Sequence, residues 1–299
     1  MLSYSLNSLI VFCEVIKLHS FSKAADALFM TQPGVSNHVA QLEAQAGSRL
    51  LVREKGRLKP TKEGKIIYKY AEKIDATARG LEGVLRTMRK DAKPLLKIAT
   101  TPVYSRIMMP FILGSFQKAN PDIMIKLDVG SSADMVKSVA SMQNDVVIVA
   151  SQKTSKKLFA YPLIKEDLVL ITCNGHPLSK KQSVSLEDIA QYPLVIREEG
   201  SATRKVVLSA FDAKSIKPTI LIDMKSTDFI KEWISQGKGI SLLIRRAVLE
   251  DEYKYLKVVP LKDALSLEVS ILFLKSRKYD RSIEKFLEYV KELKAQGVL

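Results

Sequence analysis

Residues 21–42, FSKAADALFMTQPGVSNHVAQL, decide the fold of the first part of the chain. Phe21, Ala24, Ala25 and Leu28 recur at helical spacing, and Val35, Val39 and Leu42 do so at i, i+4 and i+7. The pattern predicts two short helices across a tight turn. Ser22 and Thr31 are placed to cap the two starts, and Pro33 falls in the first turn of the second helix, where a missing N–H costs nothing. Turning Val35, Val39 and Leu42 inward sends Pro33, Ser36, Asn37, Ala40 and Gln41 outward, with Gln32 and His38 at the margins. Asn and Gln pair bidentately with adenine, and small apolar groups meet the thymine methyl. Gln32, Pro33, Ser36, Asn37 and Gln41 are therefore the candidate base contacts of a recognition helix over 31–46. A helical hairpin that serves only as core fits the same spacing.

The next stretch weighs against that plainer reading. Residues 49–69, RLLVREKGRLKPTKEGKIIYK, hold eight basic side chains against Glu54 and Glu63, a net +6. LLVRE and RLKPT alternate apolar and basic residues around Gly56, which predicts a two-stranded wing. Thr31, His38, Arg53, Lys55, Arg57 and Lys59 are the candidate phosphate contacts. Between Thr31 and Gly47 the only formal charge is Glu43. The helix is thus expected to read bases while the wing supplies salt-dependent affinity.

SFSKAADAL, TQPGVS and LLVR follow in order through residues 20–53, and this region resembles the winged helix–turn–helix of the LysR-type transcriptional regulators. Two departures stand out. Leu51 replaces the usual Phe of the wing motif, and Asn37 stands where many members carry a basic residue, which points to a different base preference.

The 299 residues suggest about two domains, and 46% hydrophobic content with mixed charge is globular. The net charge of +15 favours a polyanionic partner or an anionic surface. Residues 1–93 hold 16 basic and 9 acidic side chains, leaving a net +8 on the remainder. Cys13 and Cys173, the only cysteines, form no metal-ligand spacing with three scattered histidines, so neither a metal site nor a disulfide framework is expected. Cys13 shares a helical face with Leu6, Leu9, Ile10 and Ile16 and reads as packing. MLSYSLNSLIVFCEVIK lacks the positive start of a signal peptide, and no run of about 18 apolar residues occurs, so a cytoplasmic protein without a membrane partner is expected.

From Thr61 to Lys90 the chain reads as one helix. Ile67, Ile74, Leu81 and Met88 lie seven apart, with Tyr70, Thr77 and Val84 three residues after the first three. This is an a/d seam, and Ile67, Tyr70, Ile74, Leu81, Val84 and Met88 are the candidate dimer contacts. An amphipathic helix folded on its own domain is the alternative. Pairing would give two recognition helices for two half-sites. The resemblance implies dimers through this linker and, commonly, tetramers.

Beyond Lys93-Pro94 strands and helices alternate. LLKIATT, IMIKLDVG and DVVIVAS, with helices near 103–119 and 132–142, give a β-α-β-α-β unit and a mainly parallel sheet. DLVLITCN, PLVIRE, TILIDM, ISLLIR and LKVVPL supply a second unit, with helices near 201–213, 227–236 and 282–296. The resemblance implies that LEVSILFLK and the last helix return to the first. The expected class is α/β: a winged helix–turn–helix over 1–60, a linker helix over 61–93, and a two-lobed, periplasmic-binding-protein-like effector domain over 94–299. Lobe I comprises 94–163 and 267–299, and lobe II comprises 164–266.

Thr100-Thr101, Ser131-Ser132, Ser201 with Thr203, and Ser226-Thr227 each fall where a strand ends and a helix begins. Open parallel sheets bind ligands at such ends, where unpaired N–H groups and helix dipoles favour anions. Thr100, Thr101, Ser131, Ser132, Ser201, Thr203 and Thr227 are thus the candidate contacts to a small anionic effector, although each single hydroxyl also suits an N-cap. IREEGSATRKVV resembles the loop of family members that regulate carbon fixation and sulfur metabolism, with Ala202 for the usual Gly. Arg204 is placed either to neutralise an anion or to pair with Glu198 or Glu199.

No phosphate-binding Gly-rich loop, nucleophile elbow or paired histidine occurs, and no catalytic role or cofactor is expected. The expected partners are double-stranded promoter DNA, the effector, a second copy of the chain and RNA polymerase. A cytoplasmic solute-binding protein and a sequence-indifferent nucleoid binder are the rival readings.

Overall fold

The computed structural model describes residues 5–54, 57–88, 93–150, 155–248 and 254–299. The chain divides into two compact units, Met1–Lys90 and Asp91–Leu299. Lys55 lies outside the described residues, as do the side chains of Arg57, Val84 and Met88.

The first unit runs α1 (Leu6–Leu18), α2 (Phe21–Leu28), α3 (Gln32–Ala46), β1 (Leu51–Glu54), β2 (Arg57–Pro60) and α4 (Lys62–Met88). Phe12, Cys13, Ala24, Val35, Val39, Leu42 and Leu50 close its core. Burial raises the Cys13 thiol to about 12, which leaves it an unreactive packing group. Thr31 caps α3 by accepting from Gly34 N–H. The cap of α2 is Ser20, which accepts from Lys23 N–H, so Ser22 lies inside the helix. β1 and β2 form the antiparallel wing, with Arg53 opposite Leu58. The start of α4 packs so closely on the wing that a Cβ on Gly64 would stand 2.1 Å from the Leu50 carbonyl oxygen.

On α4, Ile67 and Ile74 are partly buried against this unit's own core, with Ala71 between them. Among the described residues of α4 the exposed large apolar side chains are Tyr70 and Leu81, both of the predicted seam, with Ile66 and Leu85 beside them. Two of the predicted a positions, Ile67 and Ile74, therefore hold α4 to the winged domain, as the alternative of a helix folded on its own domain requires.

The second unit begins β3 (Leu95–Thr100), α5 (Pro102–Ile107), α6 (Met109–Ala119), β4 (Met124–Val129), α7 (Ser132–Ala140), β5 (Val146–Ala150) and β6 (Leu158–Cys173). It continues α8 (Leu186–Ala190), β7 (Leu194–Arg197), α9 (Ala202–Ala213), β8 (Ile220–Met224), α10 (Thr227–Ser235), β9 (Ile240–Ile244), β10 (Leu256–Pro260), β11 (Ser266–Leu274) and α11 (Arg281–Ala295). One sheet runs β4-β3-β5-β11-β6-β9-β7-β8, with β10 also on β6. Its two ends are parallel, and its middle is antiparallel because β6 and β11 cross between the lobes. β6 changes partner from β11 to β9 between Asp167 and Leu168.

Two elements differ from the sequence reading. The helix expected near 103–119 breaks at Met108, because Pro110 disfavours a helical backbone before it and starts α6 afresh. The first half of β6, LFAYPLIKE, carries no strand signal because Pro162 interrupts it. The pairing with β11 shifts register there, between Val269 and Ser270.

Candidate functional site

Two regions carry the chemistry. On α3, Gln32, Pro33, Ser36, Asn37, Ala40 and Gln41 are all exposed, as the spacing predicts. The helix's one formal charge is engaged within the domain: Glu43 Oε1 accepts from the N–H groups of Leu50 and Leu51 at 2.7 and 3.1 Å. Charge-assisted bonds of this kind fix the wing to the helix. Ser36 and Ala40 share one groove with Glu43, with Arg49 just before the wing and with Arg53 on it, so neutral, anionic and cationic side chains line the same concavity. Lys59 is exposed and pairs with Glu54 at 3.1 Å. His38 is only partly exposed. Its Nδ1 meets the hydroxyl of buried Ser8 at 3.1 Å, which ties α3 to α1.

In the second unit the starts of α5, α7, α9 and α10 converge on one narrow cleft between the lobes, of about 30 Å³. Thr101, Ser131, Ser132, Ser201, Thr203 and Thr227 line it. Thr100 does not. Fully buried, it donates to the Ile148 carbonyl at 2.7 Å and stitches β3 to β5. The six hydroxyls are not equivalent. Ser131 caps α7 and donates to Asp134, and Thr227 accepts from Arg197. Thr101 and Ser201 occupy N-cap positions yet make no side-chain cap bond, although they are only 9% and 8% exposed.

Arg197, for which the sequence suggested no role, and Glu198 also line the cleft and are buried. Arg197 donates from Nε and Nη2 to the two Glu198 oxygens, at 2.8 and 3.1 Å, and from Nη1 to Thr227 Oγ1 at 3.0 Å. The guanidinium is thus spent within the protein, and the pair adds no net charge. Two charged residues ending the apolar strand LVIRE were the signal available. Arg204 lies outside this cleft. It donates to the Arg197 carbonyl at 2.9 Å and pairs with Asp223 at 3.5 Å, so neither Glu198 nor Glu199 is its partner.

Contacts across the cleft hold the lobes together. Ala133 N–H donates to the Gly200 carbonyl, and Arg106 pairs with Asp228 at 2.5 Å. Gly200 sits at φ +89°, and a Cβ there would stand 3.0 Å from Ser131 Oγ, so both conformation and approach call for glycine. Among the described residues no cluster could hold a metal ion, and no helix is long and apolar enough to cross a membrane.

Two family models match the chain. Residues 6–65 match the bacterial regulatory helix-turn-helix proteins of the lysR family, and residues 89–295 match the LysR substrate binding domain. The HTH-type transcriptional activator CmpR of Synechocystis is 28% identical over 94% of this chain and 92% of its own. A full-length OxyR variant from Pseudomonas aeruginosa shares the fold with a TM-score of 0.66 at 20% identity, covering 97% of this chain and 96% of that one. The regulatory domain of Synechocystis CcmR, solved in complex with 2-PG, gives 0.62 at 23% identity over 67% of this chain and 96% of its own.

Proposed function

The chain belongs to the LysR family of bacterial helix-turn-helix regulators, and we propose that α3 reads promoter DNA while a small polar anion in the interlobe cleft sets the output. Gln32, Pro33, Ser36, Asn37 and Gln41 address base edges. Thr31, Arg53, Lys55, Arg57 and Lys59 hold the phosphates.

The observation that carries the effector reading is the pair of hydroxyl residues, Thr101 and Ser201, that line the cleft at helix starts without capping them. Their hydroxyls are not committed to the helix starts, so a ligand oxygen in the cleft can accept from both, and from N–H groups at the same starts. Because Arg197 is neutralised by Glu198, such an anion is held by hydroxyls and helix dipoles rather than by a free cation. The 2-PG named with the CcmR regulatory domain is a probe of suitable class.

The effector acts by preferring one of two arrangements of a self-associated regulator. Ile66, Tyr70, Leu81 and Leu85 offer an apolar stripe for pairing two α4 helices. Exposed Met124, Leu127 and Val129 on β4, and Ile220 and Leu221 on β8, mark the two sheet edges as further contacts for a tetramer. Work at promoters places the protein in the cytoplasm with RNA polymerase as its downstream partner.

The test is a thermal-shift panel of small phosphate, sulfate and carboxylate anions, 2-PG included, on the wild type and on Thr101→Ala and Ser201→Ala. A stabilising anion is expected, with the shift lost in both variants and binding to duplex DNA retained. If the same anion stabilises all three proteins equally, the cleft is not its site.

A further inference from the structure

The winged domain does not account for the whole charge of this chain, since the part beyond residue 93 is itself +8. Some of that excess is gathered where β6 begins and β11 ends. Leu158 pairs with Leu274, and the next backbone bond, from Lys275 N–H to the Lys157 carbonyl at 3.0 Å, sets the two lysines directly opposite each other. Lys156, Lys278 and Arg281 extend the cluster, and all five side chains are exposed. The nearby carboxylates, Asp145 and Asp280, are both engaged by Arg277. Among the described residues none of the five cations forms an ion pair. Tyr279, 83% exposed, lies beside them with the Lys278 ammonium 5.8 Å from its ring centroid.

Nothing in the fold calls for this arrangement. Like charges directly opposite on paired strands repel, and Arg281 sits in the first turn of α11, where the helix dipole disfavours a cation. We infer that this corner of lobe I is a second polyanion-binding surface, which grips the phosphate backbone of duplex DNA beyond the segment read by the winged domain. The chemistry favours DNA over an acidic protein. The patch holds point-charge lysines suited to phosphates at any sequence, one aromatic able to stack against a sugar or base, and no apolar cluster around which a protein interface would form.

The inference rests on the reading of the chain as a DNA binder, and the experiment separates the two. The salt dependence of full-length protein binding to a long random-sequence duplex is measured for the wild type, for Arg53→Ala, and for the triple variant Lys157→Gln, Lys275→Gln and Lys278→Gln. Each lost phosphate contact flattens the slope of log K against log salt by about 0.9, so the triple variant is expected to flatten it by about 2.7. Tyr279→Ala is expected to weaken binding with the slope unchanged. A wild-type slope in the triple variant, with the slope flattened in Arg53→Ala, overturns the inference and leaves the winged-domain reading intact. Wild-type slopes in both variants remove the wing contact as well. Loss of binding to poly-glutamate with DNA binding unaltered assigns the patch to an acidic protein and overturns the inference too.

Discussion

On α3 the candidate base-reading side chains are exposed and carry no formal charge, whereas in the interlobe cleft two full charges are buried against each other. The difference follows from what each partner brings. DNA arrives as a polyanion and stays hydrated, so the unit that meets it can leave cations at the wing in water and reserve the helix for neutral, directional groups. A small effector must give up its water on entering a cleft, so a bare cation waiting there would be costly to bury when the cleft is empty. Pairing Arg197 with Glu198 removes that cost and leaves hydroxyls to make the contact.

The largest way to break this comparison is to unpair the cleft. Arg197→Met leaves Glu198 buried without its partner, and such a loss destabilises by about 3–5 kcal/mol. Urea denaturation is expected to show that loss in the transition of the effector unit. The double variant Arg197→Met with Glu198→Leu should recover most of it, because two apolar groups replace two charges. A single variant as stable as the wild type would mean that the pair is solvated rather than buried.

The corresponding test in the winged domain concerns backbone approach. Gly64→Ala places a Cβ where the Leu50 carbonyl oxygen stands. Overpacking of this kind costs about 1–3 kcal/mol, and here it pushes α4 off the wing. A lowered melting temperature is expected together with weaker DNA binding, because β1 carries Arg53. A melting temperature unchanged from the wild type would show that α4 does not brace the wing.

These two sites also show where the sequence was legible. The outward face of α3 could be read because helical periodicity assigns every side chain a direction. The hydroxyls of the cleft could be read because strand ends and helix starts are marked by local residue types. Thr100 and Thr101 mark the limit of that reading. They are the same residue type at adjacent positions, and only the pairing of β3 with β5 decides that one bonds a carbonyl while the other faces the cleft. The bond of His38 to Ser8 is hidden for a similar reason, since the two lie 30 residues apart. On α4 the predicted seam divides, because Ile67 and Ile74 pack on the core of their own unit while Tyr70 and Leu81 are exposed, a competition that heptad counting cannot weigh.

A smaller effect is expected at the crossing between the lobes. Glu166 is buried on β6 with Arg246 Nε at 3.0 Å, and Tyr104 and Asp167 are the other ionisable groups that act on it. Burial pushes its carboxyl above the usual 4.5, Arg246 pulls it back, and Asp167 pushes it up again. The folded state therefore holds its proton to higher pH than the unfolded chain does. Stability falls as pH rises from about 4.5 through the folded value, and the loss is complete above it. Glu166→Gln should remove that fall from the pH profile of thermal unfolding. An identical profile in the variant would assign the dependence to another group.

The smallest effect on stability should accompany a clear effect on binding. Lys59 and Glu54 are both largely exposed, and an ion pair of that kind contributes about 0.2–1 kcal/mol at most. Lys59→Ala is therefore expected to leave the melting temperature nearly unchanged, while the slope of log K for DNA against log salt flattens by about 0.9. Glu54→Ala frees the same ammonium from its carboxylate and should strengthen DNA binding at low salt. This pair of opposite responses at constant stability would show that the wing's charge serves the partner rather than the fold. If Lys59→Ala instead unfolds the hairpin, the contrast with Arg197 fails, because exposed and buried charge would then both be structural.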